Sequence, residues 1–209
     1  DDARDHRRDV SDLNRVLSRT AHADITVGLA NYEDQTLSPL KSSDLLCAAE
    51  NHESSPFFPY FSRRLSGLLE DADFSVIGFS INYLSQALPV FAMMGFLRKH
   101  SPEAQIVAGG GLVTSWLKRP DWHNPFSGII DAMVAGPGES YFLDSLAKSG
   151  GIHPSFSFHG LAPEDYLSPG PVIPFSASSG CWWRRCAFCP ETSERNDYLS
   201  IPVSRLTDE

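Results

Sequence analysis

Three times in this sequence a short apolar run hands over to glycine or small polar residues and then to a helical pattern. Phe74-Ser75-Val76-Ile77-Gly78-Phe79-Ser80-Ile81 gives way to Asn82-Tyr83-Leu84-Ser85 and a stripe at Leu84, Leu88, Phe91, Met94 and Leu97 that reaches about His100. Ala104-Gln105-Ile106-Val107-Ala108 runs into Gly109-Gly110-Gly111 and then Leu112-Val113-Thr114-Ser115-Trp116. Ile129-Ile130-Asp131-Ala132-Met133-Val134-Ala135 ends in Gly136-Pro137-Gly138-Glu139, ahead of a helix expected over 140–148. A further apolar run, Asp24–Asn31, precedes them and is expected to be the first strand. Strand and helix in alternation predict a parallel sheet with helices on both faces and right-handed crossovers. The expected fold class is therefore α/β, a Rossmann-like (flavodoxin-like) sheet. The apolar content of 74–81 predicts a strand buried on both faces. The glycines fall at the carboxyl ends of the strands, where open sheets of this kind bind ligands.

The rest of the chain divides around that sheet. Residues 1–23 form an N-terminal helical or flexible segment, with a short helix expected over Asp9–Arg19. Residues 24–150 form the α/β domain, in which Ser42 or Ser43 is expected to cap a helix through Ala49. The aromatic run Phe57-Phe58-Pro59-Tyr60-Phe61 leads into a helix expected over 62–71 and reads as core or packing surface. Met93 and Met94 read as core filler. The tryptophans at 116 and 122 leave open core packing or an exposed surface for another domain. Residues 151–171 are rich in glycine and proline and read as a linker, with a short strand at 155–158. A new strand over Val172–Ala177 opens the last segment, 172–209.

That strand delivers Gly180-Cys181-Trp182-Trp183-Arg184-Arg185-Cys186-Ala187-Phe188-Cys189-Pro190, which holds three of the four cysteines. Close thiolates select zinc, copper(I) or iron–sulfur centres. A structural zinc site ordinarily takes four protein ligands, and here Cys181, Cys186 and Cys189 have no obvious fourth. His159 is the nearest upstream histidine and none follows, while Cys47 reads as a small buried hydrophobe. Three thiolates suit a four-iron (4Fe-4S) cluster with one iron left open; zinc or unligated thiols remain as alternatives. The spacing is unlike the disulfide framework of a secreted protein. The net charge of −9 argues against nucleic acid or an anionic membrane as partner. With no apolar run of membrane-spanning length and no signal-like N-terminus, a cytoplasmic location is expected.

The form Cys-x4-Cys-x2-Cys with Phe188 before the last cysteine resembles the radical S-adenosylmethionine superfamily. The x4 spacing departs from its commonest x3 motif and is similar to a variant among members with an N-terminal cobalamin-binding domain. The resemblance implies that Cys181, Cys186 and Cys189 hold a 4Fe-4S cluster and that the open iron binds S-adenosylmethionine. Phe188 would lie near the adenine, and a 5′-deoxyadenosyl radical would follow from reductive cleavage. A ferredoxin or flavodoxin would be a suitable electron donor. Trp182 and Trp183 would line that pocket or shield the cluster, and Arg184 and Arg185 would offset its charge. The strand ends around Ser80, Asn82, Ser85, Gly109, Gly110, Gly111, Gly136, Gly138 and Glu139 resemble those that contact cobalamin. The usual Asp-x-His-x-x-Gly is absent: Asn31–Leu37 holds no histidine, so cobalamin would sit without a histidine lower ligand. The family's catalytic domain is a full or partial β/α barrel. Only its first strand and cluster loop are recognisable, which implies an N-terminal fragment without activity of its own. The implied activity is that of a radical enzyme, with a methyltransferase foremost. The alternatives are an α/β binding module that has lost cobalamin and a zinc-stabilised interaction domain.

Overall fold

The structure is a computed structural model and describes residues 2–138, 141–142, 167–168, 170, 172, 177–189 and 197–200. Its central feature is a three-stranded parallel sheet of β3 (Val76–Ser80), β4 (Gln105–Gly109) and β5 (Ala132–Met133), in that spatial order. The register pairs Gly78 with Val107, and Val107 with Ala132. Helix α4 (Leu84–His100) joins β3 to β4, and α5 (Gly111–Leu117) follows β4. Because the strand order follows the chain, right-handed crossovers set both connecting helices on one face. On that face Ile106 and Ala108 are fully buried in the main core, with Ile77, Phe79 and Met133 packed beside them. The mixed α/β architecture with a helix-flanked parallel sheet is as the alternating pattern predicts, but the two connecting helices lie on one face rather than on both, because the sheet adds its strands in chain order.

The core is built chiefly on α4. Its Ala87, Leu88, Phe91, Met94, Phe96 and Leu97 are all buried, so the helix is covered nearly all round. Helix α2 (Ser42–Glu50) and helix α3 (Phe58–Asp71) pack against it. Phe58, Phe61 and Phe96 form an edge-to-face triangle with centroids 5.5–6.2 Å apart, an arrangement that favours aromatic quadrupoles. The aromatic run therefore is core, apart from the exposed Tyr60. Met94 is fully buried as filler and Met93 packs partly buried against the same core.

Several elements differ from the sequence expectation, each for a local reason. Residues 24–31 do not join the parallel sheet. Strand β1 is only Ile25–Val27 and pairs antiparallel with β2 (Tyr32–Asp34) in a separate hairpin. The Gly28 N–H donates to the Asn31 carbonyl at 2.8 Å and closes the turn, and Asp34 ends β2 by accepting from the N–H groups of Thr36 and Leu37. Helix α1 starts at Asp2, earlier than expected, and runs to Thr20. Asn14 on it accepts from the Leu29 N–H at 2.8 Å, which ties helix to hairpin. Neither serine caps α2: the N-cap is Lys41, Ser42 is the first helical residue, and Asp44 instead accepts from the Ser38 N–H. Strand β3 is not buried on both faces. Among the described residues it is the sheet edge, with Val76, Gly78 and Ser80 exposed.

Strand β5 is shorter than the apolar run because Ile129 and Ile130 turn back to donate to the Phe126 carbonyl. The start of β5 is pinned by Arg98 of α4. Its guanidinium donates to the carbonyls of Ile129 and Ala104 and to the Asp131 carboxylate, which also accepts from the Ile106 N–H. Burial raises the Asp131 pKa, but the hydrogen bonds from Arg98 and Ile106, with the Arg98 charge, outweigh it and leave the carboxyl below its usual value. A folded-state pKa below the unfolded one stabilises above the unfolded value of about 3.9, and that contribution is lost as pH falls through the depressed value. Asp131→Asn is therefore expected to melt below the parent protein near neutral pH. The gap should close as pH falls below the ordinary carboxylate range and through the depressed value; a gap constant with pH would contradict the assignment.

Of the expected helix over 140–148 only Tyr141 and Phe142 are described, and both are helical; most of the linker over 151–171, its strand at 155–158, and most of the strand over 172–177 lie outside the described residues. In the last segment β6 (Ser178–Ser179) pairs antiparallel with β7 (Leu199–Ser200). A two-residue ladder in a polar segment has no periodic signature, so the sequence does not mark this pairing. No described helix is long and apolar enough to cross a membrane.

Candidate functional site

The carboxyl ends of the parallel strands meet in one cavity of about 410 Å³. Its walls come from β3 (Gly78, Ser80), β4 (Val107, Gly109, Gly110) and the segment after β5 (Val134, Gly136, Gly138), with Phe142 over one side. It lies on the sheet face opposite α4 and α5. Gly78 and Val107 are one residue out of phase with Ile77, Ile106 and Ala108, which face the main core. Of the candidate residues, Ser80, Gly109, Gly110, Gly136 and Gly138 are therefore brought together. Asn82 stands just behind the rim, where its Oδ1 accepts from the Gly111 N–H at 2.9 Å and its Nδ2 donates to Ser80 Oγ at 3.2 Å. Gly111 spends its N–H in that bond. Ser85 does not reach this cavity; it lies at the start of α4 beside the β1–β2 hairpin and lines the spaces there. Glu139 lies outside the described residues.

Two of the glycines are needed for their backbone. Gly110, the N-cap of α5, has φ +96° and ψ 175°, a region open almost only to glycine. A Cβ there would also stand 2.6 Å from the Ile81 carbonyl oxygen and 2.7 Å from its nitrogen. This close approach is the strap between β3 and β4: Ile81 N–H donates to Gly109, and Leu112 N–H donates to Ile81. Gly136 has φ +76° with open space around it.

The sequence reading missed two residues that shape this cavity. Thr114 is buried, and its hydroxyl donates to the Gly110 carbonyl at 2.8 Å while accepting from the Gly136 N–H at 2.9 Å. It ties the two glycine turns together. A threonine one turn into a helix returning a hydrogen bond to the i−4 carbonyl is common, so nothing in the sequence marks it. Phe142 lies 3.2 Å from where a Gly78 Cβ would be, which explains why that strand position is glycine. Tyr141 beside it accepts from Gln105 Nε2 at 3.3 Å.

The cysteine loop leaves β6 through Gly180, whose φ is +72° and whose Cβ would meet the Asp197 carbonyl at 2.3 Å. Arg184 has φ +48°, donates to the Cys181 carbonyl at 3.2 Å and pairs with Asp197 at 3.3 Å. A turn brings the Cys189 N–H to the Cys186 carbonyl at 3.1 Å. None of the four cysteines is in a disulfide. Cys181, Cys186 and Cys189 are partly exposed, and among the described residues no three His, Cys, Asp or Glu side chains converge into a metal-holding group. The donor chemistry suits a thiolate-bound centre; the thiols do not stand in a ligating arrangement. Phe188 is 91% exposed, and Trp182 packs edge-on to Trp183 at 5.4 Å with Arg185 over the Trp183 ring. Cys47 is apart from these in α2, half-buried, its Sγ accepting from Asn51 at 3.4 Å.

No protein-family model, curated protein or solved structure matches this chain. The reading of the site rests on the residues themselves.

Proposed function

We propose that this chain carries the cofactor-binding elements of a cobalamin-type radical S-adenosylmethionine enzyme, with methyl transfer as the activity it serves. The observation that carries the reading is the meeting of Ser80, Gly109, Gly110, Gly136 and Gly138, from three strand ends, in one cavity. Bare glycine backbone with a single hydroxyl at the carboxyl ends of a parallel sheet suits close approach by a flat, polar-edged group. At about 410 Å³ the space is sized for the nucleotide tail of a corrinoid rather than for the macrocycle. In this reading Ser80 Oγ, oriented by Asn82, offers the hydrogen bond, and Phe142 covers the tail. Thr114 fixes the separation of the two glycine turns that admit it.

Cys181, Cys186 and Cys189 would hold a 4Fe-4S cluster in the same reading. A metal centre rarely finds its ligands fully arranged beforehand, and its binding energy draws them in. The hairpin of β6 and β7 and the turn between Cys186 and Cys189 leave that closure as a rearrangement of the loop alone. Trp182 and Trp183 would exclude water from the centre, while the guanidinium groups of Arg184 and Arg185 would offset its charge. When bound, the cluster supplies an electron to S-adenosylmethionine and cobalamin carries the methyl group.

Hydroxocobalamin retention tests the sheet half of this reading. The protein is incubated with hydroxocobalamin and desalted, and the expected result is a red protein with the corrinoid spectrum. Gly109→Val should abolish the colour, since its side chain would fill the cavity; Gly109 has φ outside the positive region and its Cβ position is 3.6 Å from the nearest atom, an ordinary van der Waals contact, and a melting temperature close to the parent's should accompany the loss of colour. A colourless parent protein after desalting would leave the α/β unit as a module without cobalamin.

A further inference from the structure

A second and larger cavity, of about 860 Å³, opens on the helix-bearing side of the sheet, between α5, the first residue of α4, the 39–45 segment and the loop after α5. Its lining includes Trp116, Trp122, Phe126, Arg119, Asp121 and His123. Six chemically distinctive side chains thus come from eleven consecutive residues that the sheet chemistry above does not use.

The walls are packed on the core and held by backbone hydrogen bonds. Phe126 is buried and stands edge-to-face on the fully buried Phe91 at 4.7 Å, and Trp116 leans on Phe126 at 5.5 Å. Trp116 and Trp122 are partly exposed, which leaves aromatic surface open to the cavity. The loop is held by its backbone: Arg119 N–H donates to Trp116, Trp122 N–H donates to Arg119, and Pro120 fixes the residue between. Arg119 and Asp121 are two residues apart on this held turn. Among the described residues neither pairs with the other or with any opposite charge. His123 Nδ1 lies 3.0 Å from the Asp121 carbonyl. A bond there uses Nδ1–H as donor and leaves Nε2 as an acceptor when the ring is neutral.

We infer that this cavity binds a small aromatic zwitterion. The ring packs against Trp116 and Trp122, a carboxylate meets Arg119, and an ammonium meets Asp121. Aromatic walls take an aromatic ring by stacking and area burial. Guanidinium is the side chain best matched to a carboxylate. An acid alone would face repulsion from Asp121 and an amine alone repulsion from Arg119, so the pair selects the molecule that carries both. The inference stands apart from the cysteine loop and from cobalamin.

The probes are naphthylalanine, naphthylpropionate and naphthylethylamine, which share a ring and differ in charge. Each is titrated into nitrogen-15-labelled protein while the four tryptophan indole N–H signals are followed. Naphthylalanine should move the Trp116 and Trp122 signals and spare Trp182 and Trp183. It should bind about tenfold more tightly than either analogue, the worth of one charge-assisted hydrogen bond. Arg119→Ala should bring naphthylalanine down to the affinity of naphthylethylamine, and Asp121→Asn down to that of naphthylpropionate. Both residues are exposed, so the variants should melt with the parent protein, and the spectra report folding directly. Equal affinity for the three probes, unaltered selectivity in the two variants, or shifts confined to Trp182 and Trp183 would overturn the inference.

Discussion

Gly95→Ala is expected to destabilise this protein by about 3 kcal/mol or more and to lower its melting temperature by about 10 °C. Gly95 sits where α4 crosses α2, with Ala48, Ala49 and Ala92 also buried. A Cβ on Gly95 would stand 1.9 Å from the Ala49 carbonyl oxygen and 2.6 Å from its carbon. Both atoms are backbone, so no rotamer change can relieve the overlap. One helix must move away from the other, and because protein interiors are close-packed the movement disturbs the core around both. Gly67 in α3 supplies the control. Nothing lies within 4 Å of its would-be Cβ, so Gly67→Ala should stabilise by about 0.5–1 kcal/mol through helix propensity. Thermal melts of the two variants side by side check the account, and a Gly95→Ala protein as stable as its parent would refute the helix crossing.

The second large effect is expected at the site. Gly110→Ala imposes a side chain on a backbone at φ +96° and drives it into Ile81. The strain of such a conformation costs about 1–3 kcal/mol before the steric overlap is counted. Relief requires the strap between β3 and β4 to open, which widens the cavity and frees the Thr114 hydroxyl from the Gly110 carbonyl. The variant should therefore lose stability and cobalamin retention together. Gly136→Ala has the strain without the overlap and should lose about 1 kcal/mol only. Equal losses at the two positions, measured by denaturant titration, would contradict the role given to the Ile81 contact.

What the sequence disclosed follows from where its signals are local. The stripe at Leu84, Leu88, Phe91, Met94 and Leu97 gave α4 its full extent, since helical period and burial coincide there. Triple glycine after an apolar run located the turn at Gly110 that only glycine fits, though period alone did not say which of the three glycines the turn needs. The runs at 24–31 and 129–135 were misjudged in extent. Apolar content says that residues are buried, but hydrogen bonds from Gly28 and to Phe126 decided where pairing could begin and end. Thr114, Phe142 and the Arg98–Asp131 clasp were illegible because each acts across 22 or more residues through geometry alone. The three close thiols were legible from spacing, but among the described residues they do not converge into a metal-holding group.

The central claim is the proposal that Cys181, Cys186 and Cys189 hold a 4Fe-4S cluster, and anaerobic reconstitution with ferrous iron and sulfide tests it most directly. The account predicts a brown protein with about four iron atoms per chain, the colour lost in Cys181→Ala, Cys186→Ala and Cys189→Ala but kept in Cys47→Ala. A colourless protein that instead takes up stoichiometric zinc on the same three cysteines would contradict it.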